Sequence, residues 1–239
     1  CINILSIQKP EWFGLENGQT AARIAFFSVG VWWLGFSQVS FRWLPSDPKN
    51  NRDGHWLHHG LEEVKKAWRF TSEKPELKSF LRAYFFYSAG VQTVIYLASS
   101  FAKEELHFRT SQLIVVILLL QLVAIGGAYL FANVSKKTNN LFALKLMILI
   151  WAFICLFAYF VRGEMEFYFL AAMVGMVLGG IQALSRSSYS KMIPKDHPDI
   201  TCFYSFYDVI YYISIVFGTF IFGFINQMTH SMRFSVLAL

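Results

Sequence analysis

Long apolar stretches of this 239-residue chain contain a few polar side chains near their middle. Asp208, in the segment FYSFYDVIYY, is the one acidic residue well inside such a stretch. A carboxylate in apolar surroundings is costly unless it pairs with a cation or takes up a proton. Two hypotheses therefore stay open for Asp208: proton coupling, or a local pair or cap near a helix end.

Uncharged polar side chains form a second group of candidates. Tyr87, Gln92, Gln121 and Gln182 each lie in or at the end of an apolar stretch. Such groups cost free energy in hydrocarbon and usually face a cavity that holds water or a ligand. We predict that these four residues contribute to a site for a polar solute.

The segment GMVLGGIQALSR, residues 175–186, turns from apolar to glycine-rich and then basic. Gly175, Gly179 and Gln182 are spaced i, i+4 and i+7, so they share one helix face. Small residues four apart let a second helix approach closely, either as static packing or as a sliding surface. Arg186 can pair with an acidic residue in a gate, although a role in setting membrane orientation would also explain it.

The composition indicates the elements that position these residues. Hydrophobic residues make up 55% of the chain and charged residues 15%, whereas a soluble domain has about 25% charged residues. The apolar residues also occur in blocks close to the roughly 20 that cross a bilayer as a helix. We predict an all-α polytopic membrane protein. The predicted spans are 22–44, 80–102, 111–133, 142–161, 167–185 and 202–225, with a seventh beginning near 234.

Basic residues alternate between the two sides of these spans. Fifteen of the 21 lysines and arginines fall in the loops on one side and six on the other. The positive-inside bias makes the first side cytoplasmic. The net charge of +6 therefore reflects membrane orientation, and the predicted partner is a lipid bilayer rather than a nucleic acid.

The longest polar stretch, 45–79, contains the sequence HGLEEVKKAWRF. Its apolar residues Leu61, Val64, Ala67 and Trp68 have helical spacing, with charged residues between them. This pattern predicts an amphipathic helix at the cytoplasmic face of the membrane.

No motif of this sequence predicts an enzyme, a metal site or a cofactor. It has no nucleophile elbow, zinc-protease motif or phosphate-binding glycine loop. The histidines at 55, 58 and 59 lack the cysteine or carboxylate that would complete a metal site. The three cysteines, at 1, 155 and 202, show no metal or redox spacing.

Three segments resemble the vacuole-effluxer-like family of the major facilitator superfamily: YFFYSAGVQTVIYLASSFAKEEL (84–106), GGIQALSRSSYSKMIP (179–194) and FYSFYDV (203–209). The resemblance implies the C-terminal half of a twelve-helix fold together with the sixth helix. Residues 1–21 would then be an extracytoplasmic loop, 22–44 the sixth helix, 45–79 the central cytoplasmic loop, and 80–239 a six-helix half whose last helix is truncated. The missing N-terminal half of the same chain would be its partner.

The same resemblance implies a secondary transporter of small polar solutes, with amino acids as the expected class and a proton as a coupling ion. It also implies a bacterial cytoplasmic membrane location. Two positions depart from the family pattern: Ser88 and Ala89 replace an acidic residue before Gly90, and Tyr211 and Tyr212 stand where relatives often have a lysine. The alternatives are a membrane-embedded enzyme and a scaffold without transport activity.

Overall fold

The computed structural model describes residues 3, 6, 7, 9–15, 18–44, 56–194 and 200–238. Within these ranges the chain forms helices and no strand, which confirms the all-α prediction. It divides into two compact units, 1–54 and 55–239. The helices are a short 3₁₀ helix Pro10–Phe13, α1 Gly18–Trp43, α2 Trp56–Glu73, α3 Pro75–Glu105, α4 Thr110–Lys137, α5 Asn140–Phe160, α6 Glu164–Met192, α7 Ile200–Thr229 and α8 Met232–Leu237.

Five of these helices, α1, α4, α5, α6 and α7, are long and apolar enough to cross a membrane. The prediction of a polytopic membrane protein is therefore confirmed. At 31 residues, α3 is also long enough, since a helix rises 1.5 Å per residue, but it is not among those five. Its crossing of the bilayer stays a prediction. Four of the six predicted spans fall within longer helices, and 22–44 and 142–161 each extend one residue past the helix end. Apolar length follows bilayer thickness, whereas caps and prolines set the helix ends.

The first unit is built around α1, whose apolar residues mostly point away from the rest of the unit. Trp32 and Trp33 expose 65% and 72% of their surface, as expected for side chains that contact lipid. Near the start of the helix, the Ser28 hydroxyl donates hydrogen bonds to Asn3 Oδ1 (3.2 Å) and to the Ala25 carbonyl (2.8 Å).

In the second unit, α4 and α6 pack with their backbones nearly in contact. A Cβ placed on Gly175 would lie 2.6 Å from the Leu120 carbonyl oxygen, and one on Gly127 or Gly179 would overlap the backbone of Met176 or Ala124. Glycine is therefore required at these crossing points, as the small-residue spacing predicted. Helix α5 packs against α6 and also contacts α4, so α4, α5 and α6 form one block.

The remaining long helices, α3 and α7, form the second packed pair of this unit. Gly218 of α7 lies against Ala89 and Thr93 of α3, where an added Cβ would be 2.5 Å from the Ala89 carbonyl oxygen. The short helix α8 lies where a seventh span was predicted to begin. Its Arg233 forms an ion pair with Glu105 (2.9 Å) and donates to the Tyr159 carbonyl (3.1 Å), which ties α8 to both groups of helices.

Helix α2 lies in the polar stretch for which an amphipathic helix was predicted. Ala67 is buried and Val64 is half-buried, whereas Leu61 and Trp68 each expose 63% of their surface. The Cys202 thiol at the start of α7 donates to the Glu63 carbonyl (2.7 Å) and holds α2 against the bundle. The position of α2 at the membrane face stays a prediction. His55 and the side chains of His58 and His59 lie outside the described residues.

The adjacent glycines Gly126 and Gly127 provide a matched test of this packing. We expect Gly127→Ala to destabilise the full-length protein by about 1–3 kcal/mol, because the methyl group must displace the backbone of α6. In contrast, Gly126→Ala meets nothing within 4 Å, so it should leave stability unchanged or raise it by up to about 1 kcal/mol. Thermal unfolding in detergent measures both, and equal effects of the two substitutions would contradict the packing described.

Candidate functional site

A polar cavity of about 290 Å³ lies between α3, α6 and α7. The lining residues come from the first half and the middle of α3, the second half of α6 and the first half of α7. These parts lie toward the end of the bundle where basic residues accumulate. Hydroxyl, amide and charged side chains meet there, although these helices are otherwise apolar. The lining residues are Tyr84, Tyr87, Ser88, Val91, Gln92, Ile181, Gln182, Ser185, Arg186, Tyr207, Asp208, Tyr211 and Tyr212.

The cavity contains one pair of opposite charges. Arg186 Nη2 on α6 lies 3.6 Å from Asp208 Oδ2 on α7, and the two side chains are 58% and 45% exposed. The guanidinium carbon also lies 5.6 Å from the ring centre of Tyr204. The 3.6 Å between Arg186 and Asp208 is longer than a hydrogen bond. A partly exposed ion pair of this kind contributes at most about 1 kcal/mol to stability. Both charges are therefore available to a ligand.

Hydroxyl groups join the walls of the cavity. Ser185 Oγ on α6 donates to the Ile181 carbonyl (2.5 Å), which leaves the Tyr87 hydroxyl of α3 to donate to Ser185 Oγ (2.7 Å). Ser88 Oγ of α3 lies 2.7 Å from Ser214 Oγ of α7, and both residues are buried. The first contact links α3 to α6 and the second links α3 to α7.

Tyrosine rings form one wall of the cavity. Tyr84 of α3 and Tyr207 of α7 stack with their centres 4.3 Å apart, and Tyr189 of α6 lies 4.8 Å from Tyr207. The Tyr189 hydroxyl is fully buried and donates to the Phe203 carbonyl (2.8 Å). This cluster gives the cavity a rigid aromatic wall, which suits the aliphatic part of a small solute.

The structure brings together five of the eight predicted site residues. Tyr87, Gln92, Gln182, Arg186 and Asp208 all line the cavity.

The other three predicted residues lie elsewhere. Gly175 and Gly179 lie at the crossing of α6 with α4 and do not border the cavity. Gln121 of α4 is exposed and outside the lining, because the helix face that packs on α6 carries Leu120 and Ala124 instead. The expected convergence of polar groups therefore holds for α3, α6 and α7 but does not extend to α4.

Sequence analysis missed three polar residues of this region: Tyr84, Ser185 and Ser214. The serines occur in stretches where a small residue is equally suited to helix packing, so their composition alone gives no signal. Tyr84 lies one turn before Tyr87, and that i, i+3 spacing is the signal that could have identified it.

The arrangement can bind a small polar molecule. Among the described residues, no group of three or more histidine, cysteine, aspartate or glutamate side chains could hold a metal ion. The cavity residues offer a cation, an anion, amide groups and hydroxyls around an aromatic wall. A helical bundle of membrane length with such a cavity defines the chain as a polytopic membrane protein with an internal polar site.

Comparison with known proteins gives the family. The model of the family described as vacuole effluxer Atg22 like matches residues 1–239, so the chain belongs to that family. It is 26% identical to the uncharacterized MFS-type transporter YxiO of Bacillus subtilis, over 92% of this chain and 50% of that protein. It is also 31% identical to autophagy-related protein 22 of Pichia angusta, over 86% of this chain and 43% of that protein.

These comparisons also define how much of the relatives the chain represents. The chain spans about half the length of the curated relatives it matches. No solved structure matches it. The all-α membrane bundle and the family together identify the major facilitator fold as the fold of this chain.

The Ser88–Ser214 contact is expected to stabilise the α3–α7 pair. In a double-mutant cycle with Ser88→Ala and Ser214→Ala, we expect a coupling of about 0.6–1.7 kcal/mol, the range found for hydrogen bonds between membrane helices. Unfolding of the full-length protein in detergent gives the four stabilities. The matched control is Thr93→Val, because the buried Thr93 hydroxyl has no hydrogen-bond partner within the described ranges. Zero coupling, or a larger loss for Thr93→Val, would contradict the assigned bond.

Proposed function

We propose that this chain is part of a secondary active transporter that moves small polar solutes, specifically amino acids, by alternating access. The observation that carries the proposal is the loose Arg186–Asp208 pair inside a polar cavity between helices. We place the protein in a bacterial cytoplasmic membrane, in line with its similarity to the Bacillus subtilis transporter.

The charge pair suits a zwitterion. The Arg186 guanidinium can receive a carboxylate as a pair of hydrogen bonds, and the Asp208 carboxylate can receive an ammonium group. An amino acid has both groups a few ångströms apart. When it binds, the loose Arg186–Asp208 pair is replaced by two contacts, one between each protein charge and the solute. Gln92 and Gln182 offer amide groups to the solute's remaining polar atoms, and the tyrosine wall can contact its side chain.

The packing of the helices suits alternating access. Backbones that touch along α4 and α6 make one block, and α3 with α7 makes the other. The Arg186–Asp208 pair and the Tyr87–Ser185 bond both cross between these blocks. A solute that replaces the charge pair therefore changes the contacts between the blocks, and this difference in contacts is what a ligand-driven rearrangement requires.

The family plan supplies the rest of the proposed architecture. We assign 22–44 as the sixth helix, 45–79 as the central cytoplasmic loop and 80–239 as the C-terminal half, with 1–21 as an extracytoplasmic loop. On this plan an N-terminal half covers the open side of the cavity and completes the solute site.

Asp208 is our candidate for proton coupling. Family relatives often have an acidic residue just before Gly90 and a lysine where Tyr211 and Tyr212 stand in this chain. In this chain the Ser88 hydroxyl forms a hydrogen bond with the Ser214 hydroxyl, and Tyr211 borders the cavity near Asp208. These replacements leave Asp208 as the ionisable acid of the cavity, so coupling would depend on its carboxylate alone.

Two assays on the full-length protein in liposomes test the proposal. In the first, labelled amino acids are loaded inside and efflux is followed with and without a pH gradient. In the second, exchange of labelled for unlabelled amino acid is followed without a gradient. The first assay depends on coupling, and the second depends only on solute binding and the rearrangement.

We expect Arg186→Gln to reduce both activities by about tenfold or more, because the solute carboxylate loses its charged partner. Asp208→Asn should abolish the response of efflux to the pH gradient and also weaken exchange. Glu73→Gln is the matched control, since Glu73 forms an exposed pair with Arg69 at the same 3.6 Å separation, outside the cavity. If the wild-type protein released none of the amino acids tested, the substrate class would be refuted. If Arg186→Gln exchanged amino acids as fast as wild type, the binding role of Arg186 would be refuted.

A further inference from the structure

A second polar pocket, of about 680 Å³, lies away from the cavity, where α4 and α6 end and α5 begins. Two lysines border it, Lys145 of α5 and Lys191 of α6, and none of its described lining residues is acidic. Neither lysine forms an ion pair within the part of the chain that the structure describes. Counted over the described lining residues, the pocket therefore has a net positive charge.

Asn140 holds one of these charges in place. Its Oδ1 atom accepts hydrogen bonds from Lys191 Nζ (3.1 Å) and from Ser135 Oγ (2.5 Å), and its Nδ2 donates to Ser187 Oγ (3.3 Å). An ammonium group has three donors, so Lys191 keeps donors for a ligand while its position is fixed. Asn140 is also the first residue of α5, and the partial positive charge of a helix N-terminus favours an anion there.

An unpartnered hydroxyl points independently to a ligand. Ser188 borders the pocket, is 4% exposed, and its Oγ has no hydrogen-bond partner among the residues that the structure describes. Buried hydroxyl groups are rarely left without a partner, and such a group calls for a specific explanation. A phosphate oxygen that enters between Lys145 and Lys191 would accept this hydrogen bond.

Part of the rim of the pocket is apolar. Leu141 and Phe142 border it and expose 48% and 50% of their surface. Both belong to the first turn of a membrane-length helix, so acyl chains would lie beside them. A free phosphate would make no use of this rim, whereas a phospholipid presents an anionic headgroup and apolar chains together.

We propose that this pocket binds an anionic phospholipid, with the headgroup phosphate between Lys145, Lys191 and the Ser188 hydroxyl. Since α4, α5 and α6 all border the pocket, the bound lipid holds the ends of these three helices together. This site is separate from the solute cavity, and the proposal stands whether or not the protein transports amino acids.

The test uses the full-length protein in detergent, titrated with phosphatidylglycerol, phosphatidylcholine or inorganic phosphate. Binding is followed by native mass spectrometry and by the melting temperature. We expect phosphatidylglycerol to bind and to raise the melting temperature, and the double variant Lys145→Gln, Lys191→Gln to weaken this binding by about tenfold or more. Lys103→Gln, an exposed lysine at the far end of α3, should bind as wild type does.

Two further variants keep the test independent of folding. Ser188→Ala removes no hydrogen bond within the protein, so it should leave the lipid-free melting temperature unchanged and weaken lipid binding by about fivefold. The double variant Lys145→Arg, Lys191→Arg keeps both charges and should retain lipid binding. The proposal is overturned by wild-type binding in the glutamine double variant, by equal binding of phosphatidylcholine, or by inorganic phosphate reproducing the stabilisation at the same concentration.

Discussion

Hydrocarbon offers no hydrogen-bonding partner, so a polar side chain on a membrane-length helix needs a partner in the protein or contact with water. This constraint explains the arrangement of α3. Its Ser88 and Gln92 are both buried, because Ser88 bonds to Ser214 of α7 and Gln92 faces the cavity rather than lipid. The same polar residues lower the mean hydropathy of α3, the one long helix of the second unit that falls outside the five candidate spans. The cavity exists where this polar face meets those of its neighbours.

Two kinds of helix contact follow from this arrangement, and they differ in mechanical character. Along α4 and α6, glycines bring the backbones together, so the contact depends on shape and tolerates almost no displacement. Between α3, α6 and the start of α7, the contact is made by hydroxyls, tyrosine rings and one loose ion pair. Such groups can exchange partners with water or a solute at little cost. The solute cavity therefore lies in the more adaptable contact, and the positively charged pocket lies at the end of the rigid one.

Apolar length, helix periodicity and the positions of glycine, proline and charge were enough to predict membrane helices and a close helix contact on the face of Gly175 and Gly179, but not that α4 makes this contact. The cavity was predictable where polarity alone identifies a residue, as for Gln92 and Asp208. Gln121 shows the limit, because an amide in an apolar stretch does not reveal which way its helix is turned. Ser185 and Ser214 show the converse, since their roles depend on partners in distant helices.

The hydroxyl contact between α3 and α7 also has a consequence for biogenesis. Ser88 and Ser214 are 126 positions apart in the chain. Helices α4, α5 and α6 are therefore synthesised after α3 and before α7, its partner, enters the membrane. During that interval the α4–α6 block can assemble from neighbouring segments, whereas the polar face of α3 has no permanent partner. The polar cavity is thus completed only after the α4–α6 block, once α7 has entered the membrane, and until then Ser88 lacks its partner.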